Sequence, residues 1–241
     1  MNEHALVQRF QRVTRRSLDM FFPPRCAGCK KGGSVLCSSC MTAIVPMKPP
    51  LCQHCGASLV VLGVCQQCRY HPVELSGLRA VSNYEGTLRT CIHALKYTGN
   101  VRLAEPLGLL LAQAYRYYGM QADAMMAVPL HSERQKERGY NHAYLLAEVC
   151  ARQVQMPLYD NMVVRHRATP AQVGLAASER RQNVVGAFCC TPMFATGALY
   201  GHSILIIDDV STTGATLEAC AAPLFAAGAR AVWGLVLARP L

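Results

Sequence analysis

Ile204-Leu205-Ile206-Ile207-Asp208-Asp209-Val210-Ser211-Thr212-Thr213-Gly214-Ala215-Thr216 is the stretch that decides how the larger part of this chain folds. Four consecutive aliphatic residues suit a strand buried on both faces. Two carboxylates stand where that strand ends, and a small, hydroxyl-rich turn opens a helix. Main-chain N–H groups at a helix N-terminus lack partners and favour an anion. Thr212, Thr213 and Thr216 add hydroxyl donors, and Gly214 lets the backbone come close to a ligand. Carboxylates beside such a loop would repel a bare phosphate. They fit if Asp208 and Asp209 accept hydrogen bonds from sugar hydroxyls, directly or through a metal. Helix capping alone explains some Asp and Thr here, but two adjacent acids followed by four hydroxyl residues within positions 211–216 exceed what a cap needs.

Outward from this motif, strand and helix patterns alternate. Strands are predicted near residues 78–84, 125–130, 163–165, 203–208 and 231–238. Helices are predicted near 87–97, 104–118, 141–153 and 214–227, the last interrupted by Pro223. A charged loop is expected after residue 130 and a polar loop up to Asn183. Such alternation argues for an α/β fold, a mainly parallel sheet with flanking helices.

The first 72 residues read differently. Four Cys-x-x-Cys pairs follow one another: Cys26/Cys29, Cys37/Cys40, Cys52/Cys55 and Cys65/Cys68. Two residues between thiolates let a tight turn aim both sulfurs at one ion, and tetrahedral Zn²⁺ takes two such pairs. Disulfides are the bland alternative, disfavoured in a reducing cytoplasm. Two structural Zn²⁺ are therefore predicted. Sequential pairing closes the shorter loops, while an interleaved cross-brace is the other arrangement. His54 lies between ligands and is expected to be a surface or supporting residue. Cys91, Cys150, Cys189, Cys190 and Cys220 lack this spacing and are expected in the core. Composition thus divides the chain into a basic helical segment (1–25, helical over 5–20), a double zinc ribbon (26–72) and an α/β domain (73–241).

The formal charge is +10, with nine Lys/Arg against two acids in residues 1–72 and fifteen against twelve in the remainder, or +7 and +3. Eight thiolates with two Zn²⁺ would lower the first figure by eight and raise it by four, to about +3. A basic surface fits nucleic acid or a polyphosphate and does not choose between them. No apolar run approaches the ~20 residues that span a bilayer, and residues 1–18 lack the apolar stretch of a secretory signal. A cytoplasmic protein is expected.

The 204–216 motif resembles the phosphoribosyl pyrophosphate-binding motif of type I phosphoribosyltransferases. That resemblance implies that Asp208 and Asp209 hold the ribose hydroxyls and carry any catalysis, that the loop from Val210 and Ser211 through Thr212–Thr216 cradles the 5′-phosphate, and that Mg²⁺ rides on the pyrophosphate. Purine-salvage relatives have an aspartate where Thr212 stands, which argues against purine salvage here. Further motifs occur in order: Ile92-His-Ala-Leu-Lys96-Tyr97-Thr-Gly99; Val128-Pro129-Leu130 leading to Arg134 and Arg138-Gly139-Tyr140-Asn141-His142; the spaced set Thr169, Gln172, Leu175, Arg180 and Asn183; and Gly186-Ala187-Phe188. With the cysteine pairs in front, the chain resembles the ComF family from about Cys26 to its end. His142 departs from the family's usual Gln. Arg134 and Arg138 offer forked donors for the pyrophosphate, although Glu133, Lys136 and Glu137 among them also suit a solvated loop, and Lys96 also suits a helix C-terminus.

The resemblance implies cytoplasmic handling of incoming single-stranded DNA during natural transformation, with DNA-uptake or recombination proteins as partners. An active phosphoribosyltransferase with an unidentified acceptor is the alternative. Arg9, Arg12, Arg15, Arg16, Arg25, Lys30, Lys31 and Lys48 could meet DNA phosphates, but only Phe21, Phe22 and Tyr70 offer nearby rings for base stacking.

Overall fold

The structure, a computed structural model, describes residues 23–168 and 177–240. The predicted helix over 5–20 with its arginines, Phe21, Phe22, Thr169, Gln172, Leu175 and the side chain of Arg180 lie outside the described residues. In chain order the elements are α1 (Ser38–Thr42), α2 (Gln66–Tyr70), β1 (Gly77–Asn83), α3 (Gly86–Tyr97), α4 (Ala104–Tyr117), β2 (Ala124–Ala127), α5 (Ser132–Arg138), α6 (His142–Val154), β3 (Val163–Arg165), α7 (Ala177–Val184), β4 (Phe188–Cys190), β5 (Ser203–Val210), α8 (Ala215–Ala226) and β6 (Ala231–Arg239).

Four strands form one parallel sheet in the order β1-β6-β5-β2. Its two inner strands are the most apolar, because they have no solvent face. Ile204 to Ile207 and Leu235 to Ala238 are fully buried. Alternate side chains serve two cores. Leu205, Ile207, Leu235 and Leu237 meet α3, α4 and α6; Ile204, Ile206, Val232 and Val236 meet α8 and the small antiparallel β3–β4 sheet.

Both edges of the main sheet are covered, as an exposed parallel edge would invite pairing with another chain. On the β2 side, Met125 donates to Pro157 O at 2.8 Å and Tyr159 donates back to Met125 O at 2.9 Å. The cysteine-rich segment covers β1. Met47 N–H donates to Val81 O at 2.9 Å, Leu78 N–H to His54 O at 2.8 Å, and Ser82 Oγ to Val45 O at 2.6 Å. Arg239, at the end of β6, donates to Cys55 O. Cys26, Ala27, Leu36, Cys40 and Ile44 join one core, and Met47, Cys52, Cys55 and Cys68 join the other. The ribbons therefore straddle the edge of the sheet, one towards each face.

Several elements depart from expectation. The charged stretch after residue 130 is helix α5, not a loop. His131 Nδ1 accepts from Glu133 N–H at its start, and Gly139 closes it in the left-handed region at φ 77°, where only glycine is unstrained. The stretch expected as a polar loop up to Asn183 carries α7, and β4 is an unforeseen partner for β3. Strand β2 stops at Ala127, earlier than the predicted residue 130: Val128 N–H still reaches Ile207 O at 2.9 Å, but Pro129 has no N–H to extend the ladder. Cys91, Cys150 and Cys220 are buried as expected, whereas Cys189 is exposed and Cys190 half-buried. They lie on a strand whose sheet has only two members, so its outer side meets solvent.

Candidate functional site

Strand β5 carries Asp208 and Asp209 to its C-terminal end, where a carboxylate oxygen of each and a ring nitrogen of His142 lie within 4.8 Å of one another. Asp209, 2% exposed, turns towards α3 and α6. Lys96 Nζ lies 2.5 Å from its Oδ2, and His142 Nε2 lies 3.6 Å from Oδ1. Val210 N–H donates to Oδ1 at 2.8 Å. Burial opposes ionisation, yet the Lys96 ammonium outweighs it and holds Asp209 well below the usual carboxylate range. Lys96 is likewise disfavoured by burial, but Asp209 and Asp208 keep its ammonium form above its ordinary value.

Asp208 lines the β5–α8 turn. Burial, followed by the charge of Asp209, pushes it up to about 8, with Lys96 pulling the other way. A folded value above the unfolded one of about 3.9 means that the contribution of Asp208 to stability is full below pH ~4 and is lost as pH rises through about 8. An Asp208→Asn variant is therefore expected to gain thermal stability relative to the wild type between pH 6 and 8. Melts of both proteins across that window test this, and a constant difference would count against it.

Beyond the carboxylates, the β5–α8 turn forms a small depression lined by Asp208, Val210, Ser211, Thr212, Thr213, Gly214, Ala215, Thr216 and Leu217. Gly214 caps α8 at φ 88°, a conformation that L side chains rarely adopt. Thr213 Oγ1 accepts from Ala215 N–H at 3.3 Å, which braces the turn while its own proton remains a donor. Ser211 N–H is taken by Ala238 O at 3.0 Å, which fixes the start of the turn to β6.

A larger cleft of about 500 Å³ opens beside it, lined by Lys96, Tyr97, Gly99, Arg134, Glu137, Arg138 and Tyr140. Asp208 lines the depression, and Lys96, ion-paired to Asp209, lines the cleft. The two carboxylates thus stand between them. Arg138 lies over the Tyr97 ring at 5.4 Å and reaches His142 Nδ1 at 2.7 Å. Tyr140 donates to Leu95 O. Asn141 Oδ1 accepts from Ala143 and Tyr144 N–H, capping α6, and its Nδ2 donates to Val128 O at 3.1 Å. The end of β2, the start of α6 and the arginine helix α5 are thereby locked together.

Arg134, Arg138, Asp208, Asp209 and the 210–216 turn, all singled out in the sequence, are brought to one region. Two further residues belong to it. His142 was visible only as a departure from a family pattern. Arg165 ends β3, where nothing in the local sequence marks a role. Burial lowers the Arg165 guanidinium, the charge of Arg134 lowers it further and Asp208 opposes this, so it stands near both groups; it lies over the Phe188 ring at 5.4 Å. Asn183 is reached through its carbonyl, which accepts from Arg167 Nη2 at 3.2 Å.

The cysteine pairs form two groups, Cys26/Cys29/Cys37/Cys40 and Cys52/Cys55/Cys65/Cys68, the sulfurs of each within 4.8 Å of one another. This is the sequential arrangement. The Cys26–Cys37, Cys29–Cys37 and Cys55–Cys65 sulfur separations are 3.6, 3.7 and 3.7 Å. Zinc–sulfur bonds of about 2.3 Å in a tetrahedron place sulfurs about 3.8 Å apart, whereas a disulfide needs about 2.05 Å. Main-chain N–H groups of Cys37 and Cys65 point at Cys26 and Cys52 sulfurs at 3.4 and 3.3 Å, as thiolate ligands require. A Cβ on Gly28 would lie 2.7 Å from Cys40 Sγ, so the first turn has no room for a side chain. These eight residues fit two structural zinc ions. His54 offers its carbonyl to β1 and belongs to neither group.

Comparison with known proteins agrees with both halves. Residues 17–69 match the family model of the double zinc ribbon domain. Competence protein F of Haemophilus influenzae is 32% identical over 232 residues, covering 90% of this chain and 99% of that protein. DNA utilization protein YhgH of Salmonella typhimurium is 33% identical over 212 residues, covering 86% and 91%. Competence protein ComFC of Bacillus subtilis is 24% identical over 203 residues, covering 80% and 79%. Among the described residues no helix is long and apolar enough to cross a membrane. With a cysteine-rich double ribbon docked on a parallel α/β sheet, and about a third of its residues shared along nearly the whole of competence protein F, the chain belongs to the ComF family.

Proposed function

We propose that this protein binds phosphoribosyl pyrophosphate with Mg²⁺ and serves in the cytoplasmic handling of incoming single-stranded DNA, the setting that the names of its competence and DNA-utilisation relatives suggest. One observation carries the ligand reading: the carboxylates of Asp208 and Asp209 stand between a glycine-capped, hydroxyl-rich turn and a cleft bearing Lys96, Arg134 and Arg138. In this reading the 212–216 turn takes the 5′-phosphate on its main-chain N–H groups. Asp208 and Asp209 accept from the ribose hydroxyls, and Arg134 and Arg138 fork onto the diphosphate. Arg165 adds positive charge on the Asp208 side. Mg²⁺ would neutralise diphosphate charge. The ribbons serve as a structural module, with single-stranded DNA and DNA-uptake or recombination proteins as partners.

A second reading, transfer of phosphoribose to an acceptor with release of pyrophosphate, is favoured by one feature. Asp208, pushed up to about 8, is placed to exchange a proton near neutral pH. In such a transfer the protein's task is to hold the leaving group, sugar and nucleophile in line while positive charge develops on the ribose.

Calorimetry with phosphoribosyl pyrophosphate and Mg²⁺ tests the first reading. Saturable binding is expected, weakened at least about a hundredfold by Asp209→Asn, which removes a charge the site is built around. No heat of association to the intact protein would overturn it. The same mixture with candidate bases or DNA, assayed for pyrophosphate, separates the readings. Acceptor-dependent release that disappears in Asp208→Asn marks an enzyme, and binding without release marks a binder.

A further inference from the structure

His142 opens α6 and is 5% exposed, yet both of its ring nitrogens face charged groups. Nδ1 is 2.7 Å from Arg138 Nη1, and Nε2 is 3.6 Å from Asp209 Oδ1. A guanidinium carries donors only and keeps its proton in proteins. At 2.7 Å the ring nitrogen facing Arg138 must therefore accept, which leaves the proton on Nε2, towards the carboxylate. The ring is then neutral and polarised in one sense, its bare nitrogen to the cation and its N–H to the anion. The charged groups around it are Arg138 on α5 and the Asp209–Asp208 pair on β5, with Lys96 on α3 holding the far oxygen of Asp209.

We propose that His142 is a positioning residue that links the diphosphate side of the ligand site, through Arg138, to the ribose side, through Asp209. The inference rests on reading this cleft as the phosphoribosyl pyrophosphate site. Arg138 is a long side chain at a cleft mouth, and it lies over the exposed ring of Tyr97. Fixing it before the ligand arrives removes part of the ordering cost that binding would otherwise carry. The same ring sets Nε2 3.6 Å from one oxygen of Asp209 while Lys96 holds the other, so ribose hydroxyls meet a carboxylate flanked on both sides. An imidazole is not the only group that can do this. A glutamine amide presents one acceptor oxygen and one donor nitrogen at comparable separation, whereas a methyl side chain presents neither.

The test uses the full zinc-loaded chain and two measurements. Nitrogen-15 spectra of the histidine rings, recorded without ligand, are expected to show His142 protonated on Nε2 and bare on Nδ1. The opposite tautomer overturns the proposal regardless of what the protein binds. Calorimetry with Mg²⁺ and phosphoribosyl pyrophosphate then compares variants whose melts show that they fold. His142→Ala is expected to bind roughly tenfold more weakly, the loss of one hydrogen bond to a charged group, and His142→Gln to stay within about twofold of the wild type. An alanine variant that binds like the wild type, or a glutamine variant as weak as alanine, overturns the positioning role. A wild-type protein that does not bind the ligand defeats the underlying site reading instead, and a correct ring spectrum identifies that as the point of failure.

Discussion

Stripping the eight ribbon thiolates of metal is expected to collapse more of the molecule than the ribbons themselves. Structural zinc contributes an apparent ~10–16 kcal/mol in zinc-finger peptides at neutral pH, comparable to the ~5–15 kcal/mol that holds a whole domain together. Here that energy is wired into the sheet. Val45, Met47 and His54 supply the main-chain partners of edge strand β1, and Arg239 at the end of β6 donates to Cys55 O. Cys26 and Cys40 belong to one hydrophobic core, while Cys52, Cys55 and Cys68 belong to the other. Without metal, these thiols can no longer share a centre, and the partners of β1 are released with them. The expected result is two zinc ions per chain by metal analysis, a melting temperature lowered by tens of degrees after chelation, and lost hydrogen-exchange protection in Gly77–Asn83. A Cys52→Ser/Cys55→Ser protein should behave likewise. One zinc or none per chain, or a chelated protein that melts with the native one, would refute the double-ribbon structure.

The features legible in the sequence were those written locally. Cys-x-x-Cys spacing is a property of one turn, and the 204–216 stretch combines an apolar run, two acids and a hydroxyl turn within thirteen residues. Both translate directly into geometry because their parts are neighbours along the chain. The elements without a local signature have the opposite character. His142 and Asp209 meet only because α6 packs on the sheet beside β5, and Arg165 nears Asp208 only because β3 lies over the far face. Nothing in the local pattern around either residue signals those partners. Helix α5 was hidden for another reason. Its seven residues, Ser132–Arg138, bury no side chain, so no apolar stripe marks it, and its limits are drawn instead by a histidine cap and a left-handed glycine. The association of the ribbons with β1 was equally silent, being made largely by main-chain groups that any sequence carries.

Lys96→Met is expected to destabilise the protein by about 3–5 kcal/mol, because it leaves a buried carboxylate without its counter-charge. Asp209 is nearly inaccessible, with its side chain 3% exposed against 21% for Lys96, and the ammonium nitrogen sits 2.5 Å from Oδ2. Water is a poorer partner than an ammonium for a carboxylate this buried, and His142 at 3.6 Å from the other oxygen is a weaker substitute. The remaining charge must be expelled, protonated or borne. Denaturant melts read this as a lower midpoint, steeper in its decline as pH rises above the ordinary carboxylate range. If the loss comes from an orphaned charge and not from the missing ammonium stem, then removing the charge as well should restore much of it. The double variant Lys96→Met/Asp209→Asn, nearly the same shape and uncharged, should recover a large part of the deficit, a coupling that a double-mutant cycle measures directly. Its stability would return while its affinity for Mg²⁺ and phosphoribosyl pyrophosphate would not, since the carboxylate that meets the ribose is gone. A single variant within about 1 kcal/mol of the wild type would place this pair among the weak surface contacts. In that case Asp209 would have to be held by His142 and the backbone alone.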